Sequence, residues 1–330
     1  MGDILSLAAT NLISPIILSF VLGVVAALAR SDLTIPEAVA KGMSIYLLFA
    51  IGFKGGAGVA AHGVDATLVA TLVAGLALSF ALPFIAFYLL RVLTPLGLVE
   101  RAAVAAHYGS ISIVTFVAAT QAVRSIGLEP EGFMVAVAAV METPAILVAL
   151  FLARSAAKQR YKDDPDASEG LLQEVFLNSS VVVLMGAFVI GAVTGAEGMA
   201  AIEGFIVVPF TGVLCLFLLD MGAVAGRGMA QARKVLDAPL VGFGLLMPFV
   251  GATMAIPFAL VAGLSAGGTA LLLTLAASAS YIAVPAAMRL ALPEARPSIY
   301  LSLSLGVTFP MNLTIGIPAY AAVAQLVAGG

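Results

Sequence analysis

Between residues 12 and 326 one apolar run follows another, each long enough to cross a hydrocarbon core of about 30 Å and each closed by a short polar connection. No single feature constrains the fold more. A backbone in lipid has no water to satisfy its amides and carbonyls, so it must pair them internally, as a helix or a closed barrel. Runs of about 20 residues fit helices. Composition agrees: 62% of residues are hydrophobic and 10% charged, against about 25% charged in soluble domains. The chain therefore reads as an all-α integral membrane protein. Ten transmembrane helices are predicted, at 12–29, 38–53, 66–90, 102–123, 132–152, 176–195, 204–222, 239–263, 270–288 and 298–326.

Lys and Arg divide unequally between the two sides of this arrangement. Thirteen of the 15 fall in or beside connections that follow odd-numbered helices, and only Lys54 and Arg124 fall on the other side. Positive residues mark the cytoplasmic face, so both termini are expected outside the cytoplasm. Met1 to Asn11 carries no Lys or Arg, and the first apolar run reads as a retained helix, not a signal peptide. Cys215 is the one cysteine, which excludes an internal disulfide and a cysteine metal cluster. No cofactor is expected, and no nucleic-acid partner. Membrane lipids are the surroundings.

The chain also repeats itself at offsets of about 166 to 174 residues. Asp65-Ala-Thr-Leu-Val-Ala through Pro83-Phe84 answers to Asp237-Ala-Pro-Leu-Val-Gly through Pro257-Phe258, and Glu142-Thr143-Pro144 to Thr308-Phe309-Pro310. Each unit holds five crossings, so the second must be inverted relative to the first. The units are residues 1–152 and 176–330, joined by a cytoplasmic linker at 153–175. Inverted repeats with discontinuous helices are a mark of secondary transporters.

Two stretches break the apolar pattern. Tyr108-Gly109-Ser110-Ile111-Ser112 lies in the middle of helix 4, and Ser278-Ala279-Ser280-Tyr281 with Pro285 lies in the middle of helix 9. Both helices are predicted to be discontinuous there, near the bilayer midplane. Gly109, Ser110 and Ser112 suit the start of one half-helix, with serine as its cap, and Ala283, Val284 and Pro285 suit the start of the other. A helix amino terminus carries about half a positive charge and free N–H groups. The predicted ligand is a small anion, held by Gly109, Ser110, Ser112, Ser278, Ser280, Ala283 and Val284.

Glu142 falls at the centre of helix 5, where a carboxylate costs at least about 2.5–3.5 kcal/mol on insertion scales. On helix 10, Ser304, Thr308 and Asn312 recur every four residues and form one polar stripe. Ser112, Thr115, Glu142, Thr308 and Asn312 are therefore assigned to a cation, Na⁺ or H⁺. Gly52-Phe53-Lys54-Gly55-Gly56 is expected to end helix 2 in a turn, and His107 to be a packed polar residue. Glycine and alanine in helices 1, 2, 6 and 7 are expected to line a sliding boundary between domains. No His-Glu-x-x-His or Gly-Asp pair occurs, and His107 is the one base near a serine, so an enzyme is not expected.

At these stretches the chain resembles the bacterial sodium-dependent bicarbonate transporter family. The matching pieces are Ile51-Gly52-Phe53-Lys54-Gly55-Gly56, Met141-Glu142-Thr143-Pro144-Ala145, Ala277-Ser278-Ala279-Ser280, Pro285-Ala286-Ala287-Met288-Arg289 and Gly316-Ile317-Pro318. The resemblance implies a core domain of helices 3–5 and 8–10 and a gate domain of helices 1, 2, 6 and 7. It also implies a homotrimer joined through the gate, anion and Na⁺ held where helices 4 and 9 cross, and a small trimeric PII-like regulator on the cytoplasmic side. The implied function is elevator-type symport of bicarbonate with Na⁺ or H⁺. A different small carboxylate, or a non-transporting sensor of the same fold, stays open beside it. Tyr281 stands where the family pattern has an acidic residue, Ala283 where it has serine, and Ile113 and Val114 where it has small residues.

Overall fold

The computed structural model describes residues 15–157, 179–232, 236–281, 284–285, 288, 292 and 294–328. Every regular element among them is helical: α1 Pro15–Leu28, α2 Glu37–His62, α3 Ala66–Leu93, α4 Leu98–Gly109, α5 Ile113–Ser125 and α6 Met134–Ala157 in the first half. In the second half come α7 Ser179–Ile206, kinked at Gly195 (φ 56°, ψ −139°), α8 Phe210–Ala232, α9 Ala238–Ala262 and α10 Ala266–Ala277. A final span α11, Pro297–Ala328, includes two π-helical turns at Ser304–Thr308 and Asn312–Gly316.

Six helical spans among the described residues are long and apolar enough to cross a membrane: Glu37–Ala61, Ala66–Leu93, Leu98–Ser125, Val182–Ile206, Ala238–Ala262 and Pro297–Ala328. Pro15–Leu28, Phe210–Val224 and Ala266–Ala277 are apolar but shorter. Val193, Val261 and Leu326 are among the large apolar side chains left exposed, as a multi-pass membrane protein requires. The linker expected at 153–175 lies outside the described residues beyond Ala157, up to which α6 stays helical.

Capping explains where several helices start. Asp65 accepts the Leu68 N–H at 2.7 Å and Asp237 accepts the Leu240 N–H at 3.0 Å, so the two repeat-related aspartates cap α3 and α9 in the same way. Gly263 ends α9 in the left-handed conformation, at φ 70° and ψ 34°.

Two predicted boundaries are corrected. Helix 2 does not end at the Gly52–Gly56 stretch but continues to His62. Helix 7 begins at Phe210 and runs to Ala232, which places Arg227 on the helix. The first correction has a packing cause. A Cβ on Gly56 would lie 1.9 Å from the Phe188 carbonyl oxygen of α7, and one on Gly52 would lie 2.2 Å from that of Leu184. These glycines bring two helix backbones into contact and turn nothing. Gly191 meets the Phe53 carbonyl in return, and Gly23 and Gly222 join α1 to α8 through the carbonyls of Leu219 and Phe20. Of the glycines expected on a sliding boundary, Gly23, Gly52, Gly56, Gly191 and Gly222 sit inside the α2–α7 and α1–α8 pairs, whereas Gly55 and Gly58 of α2 face Val135 of α6 and Gly132 just before it. The remaining helices pack around α4, α5 and α10, whose residues are almost wholly buried.

Candidate functional site

The site grows out of two chain interruptions that touch. Helix α4 stops at Gly109 and α5 begins at Ile113, leaving Ser110, Ile111 and Ser112 between them. A Cβ on Gly109 would lie 2.1 Å from Pro83 Cγ, so only glycine lets α4 end this close to α3. Ser112 caps α5 by accepting the Thr115 N–H at 3.2 Å and the Thr115 hydroxyl at 2.8 Å. Helix α10 stops at Ala277, and residues 278–281 are not helical. Val284 is helical and wholly buried. Ala283, expected at the anion site, lies outside the described residues.

Two hydrogen bonds tie the interruptions together. The Ser112 N–H donates to Ser278 Oγ at 2.9 Å, and the Ser280 N–H donates to the His107 carbonyl at 2.7 Å. Ser278 Oγ in turn donates to the Leu275 carbonyl at 2.8 Å, closing the end of α10. Two of the backbone N–H groups freed by the breaks, those of Ser112 and Ser280, are in this way satisfied across the crossing. The arrangement sets the amide-rich start of α5 beside the carbonyl-rich ends of α4 and α10, an electropositive end next to two electronegative ones.

Glu142 faces this crossing from α6. It is 5% exposed, receives a long hydrogen bond from the Ser280 hydroxyl at 3.5 Å, and lies beside Ser110. A buried carboxylate needs such partners or a cation. Among the described residues no three His, Cys, Asp or Glu side chains cluster. A cation here would therefore draw on one carboxylate together with hydroxyl and carbonyl oxygens, a hard oxygen set that fits Na⁺ better than a transition metal.

Of the residues assigned from sequence, Gly109, Ser110, Ser112, Thr115, Ser278, Ser280 and Glu142 meet at the crossing. Thr308 and Asn312 are engaged differently. Thr308 Oγ1 donates to the Gly244 carbonyl at 2.8 Å and pairs with the Tyr108 hydroxyl at 2.5 Å. Asn312 donates to the Ala277 carbonyl at 2.8 Å and accepts the Tyr320 hydroxyl at 2.9 Å. No hydrogen bond among the described residues links either to Glu142. Both brace α11 against the helices around the crossing.

His107 is buried, with Nδ1 2.6 Å from the Ala103 carbonyl and its ring stacked on Tyr300 at 4.5 Å. Tyr108 and Tyr320 escaped the sequence reading. The signal was available in the polar Tyr108 hydroxyl next to a mid-helix glycine, but its partner stands 200 residues away.

Compared with known families, residues 15–325 match the model of the Na⁺-dependent bicarbonate transporter superfamily. No curated protein matches the chain.

Proposed function

This chain belongs to the Na⁺-dependent bicarbonate transporter superfamily, and on that premise we propose that it is a symporter that carries a small anion, bicarbonate first, into the cell with Na⁺ or H⁺. The carrying observation is the crossing itself: an electropositive helix start, a buried carboxylate and a set of hydroxyls brought together where two helices are interrupted. The anion sits at the start of α5, and the cation sits toward Glu142 and the carbonyl ends. Each offsets the other's desolvation, so neither enters the buried site cheaply alone.

An elevator motion suits the packing. Helices α3–α6 and α9–α11 form the moving core, and α1, α2, α7 and α8 form the gate. Close glycine contacts inside the α1–α8 and α2–α7 pairs support a stiff gate. The two-unit inverted reading is supported by contacts that recur about 165 to 170 residues apart. Gly56 against Phe188 answers to Gly222 against Phe20, and Gly75 against Val137 and Met141 answers to Gly244 against Leu303 and Val307. At the core ends, Glu131 with Ser265 answers to Arg296 with Glu100. The placement is the inner membrane with periplasmic termini, as a homotrimer through the gate; the PII-like regulator would dock at the cytoplasmic linker.

Liposomes holding the purified chain should accumulate labelled bicarbonate under an inward Na⁺ or H⁺ gradient, and Ser112→Ala or Glu142→Ala should abolish it. Absence of gradient-driven uptake of bicarbonate and of small carboxylates alike would overturn the proposal. Ligand-induced stabilisation without flux would instead identify a sensor, the reading that Tyr281 in place of an acidic residue favours.

A further inference from the structure

We propose that the Tyr281 hydroxyl is a ligand of the transported oxyanion and sets its specificity; the inference rests on the anion-binding reading of the crossing. Tyr281 is 4% exposed, and its hydroxyl has no hydrogen-bond partner among the described residues. It lies beside Ser112, the cap of α5, without completing a bond to it. The ring is held edge-on to Phe309, with centroids 5.3 Å apart, and Phe309 is held edge-on to Phe20 at 5.2 Å. The ring is thus fixed in place, and among the described residues its hydroxyl has nothing to donate to.

Ser112 adds a second unused proton. Its oxygen already accepts the amide and the hydroxyl of Thr115, so its own O–H has no acceptor in that cap. The first two amides of α5, on Ile113 and Val114, cannot bond within their helix. No turn or cap contact among the described residues takes them up. Four neutral donors, two hydroxyl and two amide, therefore stand at the start of α5 with no acceptor among the described residues. A buried donor left unmade is costly, and the group that satisfies several at once is an anion with more than one oxygen.

The acidic residue of the family pattern would repel an anion at this position and bind a cation. A phenol does the reverse, because a neutral O–H donates to negative oxygen. The substitution at 281 therefore moves this residue from the cation side of the site to the anion side. Bicarbonate or a small carboxylate fits, with one oxygen for the hydroxyls and one for the amides, whereas chloride offers a single centre.

The test uses the full-length protein in detergent, with wild type and Tyr281→Phe titrated with sodium bicarbonate at constant sodium and melted by circular dichroism. Removal of the phenolic oxygen should weaken bicarbonate affinity about 10- to 100-fold, the ratio expected for a lost hydrogen bond to a charged group. The same variant without bicarbonate should melt at or above the wild-type temperature, because an unmade buried donor has been deleted. Unchanged affinity in Tyr281→Phe, with wild type responding, would overturn the inference and leave the anion site standing. A fall in the unliganded melting temperature, or failure to fold, would give the hydroxyl a structural partner and overturn it too. A wild type that responds to neither bicarbonate nor acetate would overturn the anion site itself.

Discussion

Replacing Ser278 by alanine deletes a side chain that both ties the two interruptions together and closes the end of its own helix α10. Its oxygen accepts the Ser112 N–H at 2.9 Å and its proton goes to the Leu275 carbonyl at 2.8 Å. Without it, the Ser112 N–H is left buried and unpaired, at about 1–3 kcal/mol. The Leu275 carbonyl keeps the Ser278 N–H at 3.2 Å, so its loss is one net hydrogen bond, about 0.5–1.5 kcal/mol. The sum is about 2–4 kcal/mol, a large part of the margin of a typical fold. Ser304→Ala is the matched control. That hydroxyl only bonds back to the Tyr300 carbonyl of its own helix, and its removal should cost at most about 1 kcal/mol. The chain has no tryptophan, so unfolding in mixed detergent–SDS micelles is followed by circular dichroism. Ser278→Thr, which keeps the hydroxyl, should recover most of the loss. If Ser278→Ala unfolds no more easily than Ser304→Ala, the bridge across the crossing carries no weight and the reasoning fails.

Other expectations concern packing and charge. Gly56→Val drives a side chain into the Phe188 carbonyl, where even a Cβ stands 1.9 Å away, and should cost about 1–3 kcal/mol or more; Gly186→Ala, with open space around it, should be neutral or slightly stabilising in the same unfolding assay. Arg296→Ala removes a 2.7 Å ion pair to Glu100 whose arginine side chain is 59% exposed, so the loss should stay below about 1 kcal/mol and shrink further in high salt. Glu100 keeps the Arg296 backbone N–H at 3.2 Å, which should hold the start of α11 in place. A larger loss would mean that this contact acts as a gate and not as a surface pair.

The class of protein was legible from sequence because lipid imposes one rule on every segment. Apolar runs of membrane length with so little charge leave few folds other than helices. The cap at Ser112 was legible too, and the same signal stands at Asp65 and Asp237, which the repeat alone had singled out. Asp65, Ser112 and Asp237 stand directly before apolar runs, and their side chains reach only three residues forward. Interruption at Gly109–Ser112 and after Ala277 follows the same local logic, since glycine, serine and proline disfavour helix wherever they fall.

Distance in the chain hid the rest. The glycines of α2 looked like a turn because their reason for being small is the backbone of α7, more than 130 residues on. Tyr281 looked like a lost carboxylate, since only the folded chain sets its hydroxyl beside the Ser112 cap. Thr308 and Asn312 were legible as one polar face, because helical spacing reports which side chains share a face; that the face meets Gly244, Tyr108, Ala277 and Tyr320 was not. Sequence alone fixes what a residue offers, donor or acceptor, large or small. Which partner takes up the offer is settled when segments far apart in the chain are packed within 3 Å of one another, a close approach that neither local propensity nor composition encodes.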